Sequence, residues 1–196
     1  MSHPLISAAA LADALAGATP PQLLDCRARL GDADAGRRLW ALGHLPQSQH
    51  LDLDRDLAAA PGKGGRHPLP TPAAFAARIQ RLGITPRQPL VLYDDSGGQL
   101  AAARAWWMLA RWAGHPDVRV LDGGLGAWQA AGGALRSGRV ALPRASDWRP
   151  DYRDAAWVSA QALLSGGVLT VDARSGERFR GEVEAIDPVA GHIPGA

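Results

Sequence analysis

One phrase occurs twice in this chain. LLDCR closes on Asp25-Cys26-Arg27, and Gly43-His44-Leu45-Pro46 follows; TVDAR closes on Asp172-Ala173-Arg174, and Gly191-His192-Ile193-Pro194 follows. Asp25 to Gly43 is 18 positions and Asp172 to Gly191 is 19. A repeat at matched spacing predicts that one supersecondary unit is built twice. Each copy runs from a helix to a buried strand, then through a polar stretch to Gly-His-aliphatic-Pro. The first continues to about residue 134, while the second reaches only Ala196. The expected organisation is therefore a first domain over 1–134, a linker over 135–156 and the beginning of a second copy over 157–196. A natural truncation is the alternative. A length of 196 residues suits one domain plus part of another.

The first copy alternates strands with helices. QLLDCR (22–27) reads as a buried strand, and SQHLDL (48–53) as a second. Residues 54–72 form a long Gly- and Pro-rich loop, functional or mobile by its length. Thr71 caps a helix that carries Pro72 in its first turn and has Gly83 past its end. PLVLYD (89–94) is short, apolar and β-rich. A DSGG turn and a helix over QLAAARAWWMLARWAG follow. VRVLDGG (118–124) and a short helix over LGAWQAAGG complete it. The predicted class is α/β, with a mostly parallel sheet flanked by helices. In the second copy, VSAQALLSGG reads as a helix, VLTVDAR as a strand and the remainder as loop.

Composition narrows the function. Charged residues at 20% and hydrophobic residues at 46% are globular values, against disorder. The net charge is only +2 and the basic residues are scattered, so no nucleic-acid partner is expected. No apolar run approaches a membrane span, so no membrane partner is expected either. The start, MSHPLISAAALADALAG, reads as a helix after Ser7 and not as a signal peptide. A single cysteine fits a reducing cytoplasm. No cofactor and no metal are expected, because neither His44 nor His192 has ligand partners at suitable spacing. Both histidines read as structural turn residues.

Other candidates also have plain structural readings. Cys26, at the end of a buried strand, reads as a small core residue and not a nucleophile. Asp25 with Arg27, and Asp172 with Arg174, read as local ion pairs. Trp106, Trp107 and Trp112 share one helix and read as packing. DSGG after a strand resembles a phosphate cradle, but it has neither the lysine nor the spacing of a P-loop. A phosphatase-type loop would need a cysteine and an arginine flanking five residues, which this segment lacks.

The phrases LLDCR with GHLP, YDDSGGQLAAARAWWMLARWAGH (93–115), VRVLDGGLGAWQAAGG (118–133) and VDARSGERFRG with GHIPGA (171–196) together resemble the tandem rhodanese-domain sulfurtransferases, which include thiosulfate sulfurtransferase and 3-mercaptopyruvate sulfurtransferase. The resemblance implies two α/β domains of similar rhodanese-like fold, the second incomplete in this chain. It implies that a cysteine on the second domain's loop, after its central strand, takes a sulfane sulfur from thiosulfate or 3-mercaptopyruvate. The resulting persulfide passes the sulfur to cyanide or a thiol. That cysteine is expected beyond Ala196, so this chain is expected to hold no catalytic residue and to be inactive alone. The first domain's matching loop is Asp94, Asp95, Ser96, Gly97 and Gly98. An aspartate there cannot form a persulfide, and its charge would repel an anionic donor. That loop is expected to be vestigial. Arg178 is expected to bind the donor's anionic group, with Arg180 as a weaker alternative. The expected partners are a small sulfur donor and acceptor, and the expected state is a monomer. The competing expectation is a non-catalytic, partner-binding rhodanese-like module.

Overall fold

Four consecutive residues, Leu90–Tyr93, are all buried, and they form the central strand of the sheet. In the computed structural model, which describes residues 3–62 and 65–196, the strands and helices alternate as β1 (Leu5–Ile6), α1 (Ala8–Ala16), β2 (Gln22–Asp25), α2 (Ala35–Leu42), β3 (Gln49–His50), α3 (Pro72–Arg81), β4 (Leu90–Tyr93), α4 (Ala101–Trp106), β5 (Val118–Leu121) and α5 (Gly124–Ala130). The sheet order is β1-β5-β4-β2-β3, and every pairing between these strands is parallel. A parallel sheet needs cover on both faces, which is why its strands are apolar without alternation.

The cover is visible in the packing. Leu23, Val91, Tyr93 and Leu121 share one cluster with Leu11 of α1 and with Leu125 and Trp128 of α5. The alternate residues Leu24, Leu90, Leu92 and Val120 are also buried, so by strand alternation they face the opposite side. There α4 lies over β4 and β5. Full burial of each Leu or Val side chain stabilises by about 1.5–3 kcal/mol, so β4 anchors the core.

The helix starts follow the predicted caps. Ser7 Oγ accepts from Ala10 N at 3.2 Å, and Thr71 Oγ1 accepts from Ala74 N at 3.2 Å. The long helix differs from expectation: after Trp106 it widens into a π-helical stretch over Trp107–Trp112. Ala113 N there donates to Met108 O at 2.8 Å. Trp112 stacks on Phe75 of α3 with ring centroids 5.5 Å apart, and it meets Tyr152 at 4.6 Å. Trp106 Nε1 donates to Val118 O at 2.9 Å. The tryptophans are packing residues. SQHLDL forms only the short β3, and the polar stretch after LLDCR contains α2, which its composition did not announce.

The chain divides into two compact units, Met1–Arg153 and Asp154–Ala196. Residues 137–153 contain no helix or strand, yet they run along the first unit. Arg136 and His44 exchange backbone bonds at 2.8 Å, Ser146 N donates to Gln80 O at 2.9 Å, and Tyr152 Oη donates to Pro72 O at 2.8 Å. The second unit holds a 3₁₀ turn (Asp154–Ala156), α6 (Ala160–Leu164) and α7 (Gly176–Arg180). Its VLTVDAR is not a strand. No neighbouring strand pairs with it among the described residues, and Leu169 and Val171 are 91% and 78% exposed. α7 occupies part of the segment read as loop. No helix among the described residues is long and apolar enough to cross a membrane.

Candidate functional site

The loop after β4 is built around one carboxylate. Asp94 is buried, and its Oδ1 accepts from Ser96 N at 2.9 Å and Gly98 N at 2.8 Å. Its Oδ2 accepts from Leu100 N at 3.3 Å and Ala102 N at 3.2 Å. Convergent backbone N–H groups before a helix form an anion cradle. Here the cradle is filled by the protein's own anion. Two left-handed residues bend the loop that tightly: Gly97 at φ 73° and Gly98 at φ 86°. A Cβ on Gly98 would lie 2.6 Å from Val120 Cγ1, so close approach as well as backbone conformation requires glycine. The loop is tied to α5 by Leu125 N, which donates to Asp94 O at 2.8 Å.

Asp95 points elsewhere. It takes a two-bond pair from Arg29 at 3.0 and 2.6 Å, which holds its carboxyl below the usual carboxylate range. Arg29, Asp94, Asp95, Ser96 and Cys26 line a cavity of ≈ 580 Å³ at this end of the sheet, together with Leu53, Leu100 and Arg104. Arg104 pins the long 54–72 loop by donating to Leu57 O at 2.9 and 3.0 Å and to His67 O at 2.9 Å. The sequence reading missed Arg29 and Arg104. Their signal is geometric, since Asp95 lies 66 positions from Arg29 and His67 lies 37 positions from Arg104.

Cys26 is fully buried. Burial, followed by the charges of Asp25, Asp94 and Asp56, raises its pKa well above the ordinary thiol value. It is a neutral thiol, unsuited to nucleophilic attack. Tyr93 is raised too, first by burial and then by Asp25. Both groups stay protonated in the fold while the unfolded chain would release its protons. Their stabilising contribution is therefore present below the unfolded pKa values of about 8.5 and 10 and is lost as pH rises from there towards the folded values. Cys26→Ala is expected to fall off less steeply than the parent in urea midpoints between pH 8 and pH 10; identical slopes would show that Cys26 does not titrate this way.

The repeated phrase makes the same bonds twice. Asp25 takes Arg27 Nε at 3.0 Å and Nη2 at 2.6 Å, and Arg27 Nη2 also donates to Gly43 O at 2.6 Å. In the second unit Arg174 donates to Asp172 through Nε at 3.0 Å and through Nη2, which also reaches Gly191 O at 2.6 Å. Arg174 holds the Asp172 carboxyl down at about 2. His44 Nδ1 donates to Trp40 O at 2.8 Å and its ring stacks on Trp40. His192 Nδ1 donates to Phe179 O at 2.7 Å and stacks on Phe179. Arg27 ties the end of β2 to Gly-His and Arg174 ties the matching extended segment to its own Gly-His, and each histidine braces the same turn. Among the described residues, no cluster of three or more potential ligands could hold a metal ion.

Arg178 lies on α7. Its Nε and Nη2 engage Glu184 at 3.2, 2.9 and 2.7 Å, and Nη2 also reaches Asp187 at 3.1 Å. Arg178 draws the Glu184 carboxyl down to about 2. Arg180 pairs with Glu182 at 2.6 and 2.8 Å. Asp94 to Gly98 thus form one constellation in the first unit, while Arg178 sits in the second.

A parallel sheet in this order, with a tight loop wound round a buried carboxylate at the end of its central strand, is a rhodanese-like architecture. The Rhodanese-like domain family matches residues 7–131, and the chain belongs to that family. It is 50% identical over 181 residues to the probable 3-mercaptopyruvate sulfurtransferase of Pseudomonas aeruginosa, covering 89% of this chain and 63% of that protein. It is 43% identical over 198 residues to the putative thiosulfate sulfurtransferase SseB of Mycobacterium tuberculosis, covering 98% of this chain and 68% of that one. Among solved structures, the 3-mercaptopyruvate sulfurtransferase of Leishmania major superposes with a TM-score of 0.83 at 31% identity, over 99% of this chain and 54% of that one. The chain thus spans about two thirds of the length of the curated relatives it matches.

Proposed function

We propose that the chain is part of a sulfurtransferase that moves a sulfane sulfur from thiosulfate or 3-mercaptopyruvate to a thiophilic acceptor through a cysteine persulfide. The observation that carries this reading is the 50% identity to a relative named for that activity, together with the twice-built Asp-Arg-Gly-His brace. In the proposed step a thiolate attacks the outer sulfur of thiosulfate. The S–S bond breaks and sulfite leaves with the electron pair. Cyanide then attacks the outer persulfide sulfur, giving thiocyanate and restoring the thiolate. Cys26 does not supply that thiolate, because it is buried and neutral. The thiol belongs to a second rhodanese copy, which begins with residues 157–196 after a linker at 135–156.

The first copy, 1–134, acts as a scaffold. Asp94 fills its cradle, so no donor anion can enter there. Arg178 anchors the donor's anionic group; its bonds to Glu184 and Asp187 run through Nε and Nη2, which leaves the Nη1 edge for it. We place the protein in the cytoplasm, because a chain with one cysteine and no disulfide suits a reducing compartment.

Protein isolated from its own cells and supplied with cyanide and either donor should form thiocyanate. The 196-residue chain should not exceed the uncatalysed rate. No thiocyanate from the native material with either donor would end the sulfurtransferase reading. Thiocyanate from the 196-residue chain, abolished in Cys26→Ser, would move the persulfide to Cys26.

A further inference from the structure

A cavity of ≈ 750 Å³ lies away from the β4 loop, beside the free edge of β3. Arg37 of α2, Arg78 and Arg81 of α3, Arg55, and Arg139 of the extended segment all line it. Two carboxylates, Asp52 and Asp56, share the lining, so five guanidiniums stand against two acids. Both acids are already engaged. Asp52 is bonded by Arg55 Nη1 at 2.9 Å, and Asp56 by Arg81 Nη2 at 2.9 Å and by Asp52 N.

Among the described residues, three of the five guanidiniums have no carboxylate partner. Arg78, half-buried, donates only to the carbonyls of Asp56 and Ala58, at 3.1 and 3.0 Å. Arg37 and Arg139 are exposed and make no ion pair among the described residues. Uncompensated charge around one concavity, with no basic run in the sequence to explain it, is a tertiary arrangement. Trp40, Leu82, Val140 and Leu142 form an apolar wall beside it. A cavity of this size suits a small molecule and not an extended chain.

We propose that this groove binds a small polyanion carrying adjacent phosphate groups. Planar guanidinium forks match phosphate oxygens in pairs, and three of them can offset most of the charge of a di- or triphosphate. Arg78 provides the fixed contact, because its carbonyl bonds orient it. Arg37 and Arg139 add two further guanidiniums from the same lining.

Calorimetric titration of the full chain with inorganic tripolyphosphate, and separately with ATP, tests this. Binding should appear at low salt and weaken several-fold on raising the ionic strength to about 0.2 M, where exposed charges are screened. The double variant Arg37→Ala/Arg139→Ala removes only exposed, unpaired side chains, so its fold should persist, and its affinity should drop at least about tenfold. Equal affinity for the two probes would assign the site to phosphate charge alone. Tighter binding of ATP would assign it to an organic phosphate held also by the apolar wall. No binding of either probe at millimolar concentration, or unchanged binding in the double variant, would overturn the proposal.

Discussion

Asp94→Ala is expected to destabilise the first unit by about 3 kcal/mol, a fall in Tm of roughly 6–12 °C. Four backbone N–H groups converge on that carboxylate, two of them buried. Each buried donor left without an acceptor costs about 1–3 kcal/mol, and bonds to a charged acceptor are the stronger kind. The total stays below the sum because Ser96 and Leu100 can turn to water. Asp94→Asn keeps one carbonyl oxygen and should lose less than Asp94→Ala. It still sets an amide N–H₂ against N–H groups, so it should not match the parent. Urea midpoints for the three proteins decide the matter. A loss below about 1 kcal/mol in Asp94→Ala would mean that the glycine turn holds its shape without the carboxylate, and that the cradle is not built on it.

Asp25→Ala is expected to cost about 3–5 kcal/mol, because it strands a buried cation. The Arg27 side chain is 5% exposed and its remaining partner is the Gly43 carbonyl. Tyr93 Oη, which donates to Asp25 Oδ2 at 2.9 Å and accepts from Leu45 N at 3.1 Å, loses its charged acceptor in the same step and keeps only Ser48 Oγ, at 2.8 Å, to donate to. The double variant Asp25→Leu/Arg27→Met should recover much of the loss, since replacing both partners leaves no bare charge. A double-mutant cycle in urea reads this coupling directly. Asp172→Ala, in the second copy of the same bonds, should cost much less, because Arg174 is 30% exposed and water can replace the carboxylate. Equal losses at the two positions would show that burial is not what sets the strength of this brace.

These two aspartates also mark where sequence reading reached its limit. Asp25, Arg27 and Gly43 were legible as a motif because the phrase occurs twice, and the structure supplies the bonds that the spacing implied. Asp94 was legible as an obstacle to persulfide chemistry, since a carboxylate cannot carry a sulfane sulfur. That its oxygens would fill the N–H cradle depended on Gly97, Gly98 and the start of α4 turning onto one point. The π-helical turn at Trp107–Trp112 was not legible from the helical period of the segment; its Trp112 meets Phe75 and Tyr152, residues far apart in the chain. VLTVDAR reads as a strand for sound local reasons, but a strand needs a neighbour, and none pairs with it.

The sequence by itself determined the alternation of strands and helices, the caps at Ser7 and Thr71, the burial of Leu90–Tyr93 and the repeated brace. All of these are set by local propensity, short-range hydrogen bonding or a pattern visible within one segment. Only the tertiary structure decided the sheet order, the pairing of Arg29 with Asp95, the capture of the long loop by Arg104, the occupant of the β4 cradle and the grouping of unmatched arginines beside β3. Each of these depends on which distant residues meet, and the packing of helices on the two faces of one parallel sheet sets that.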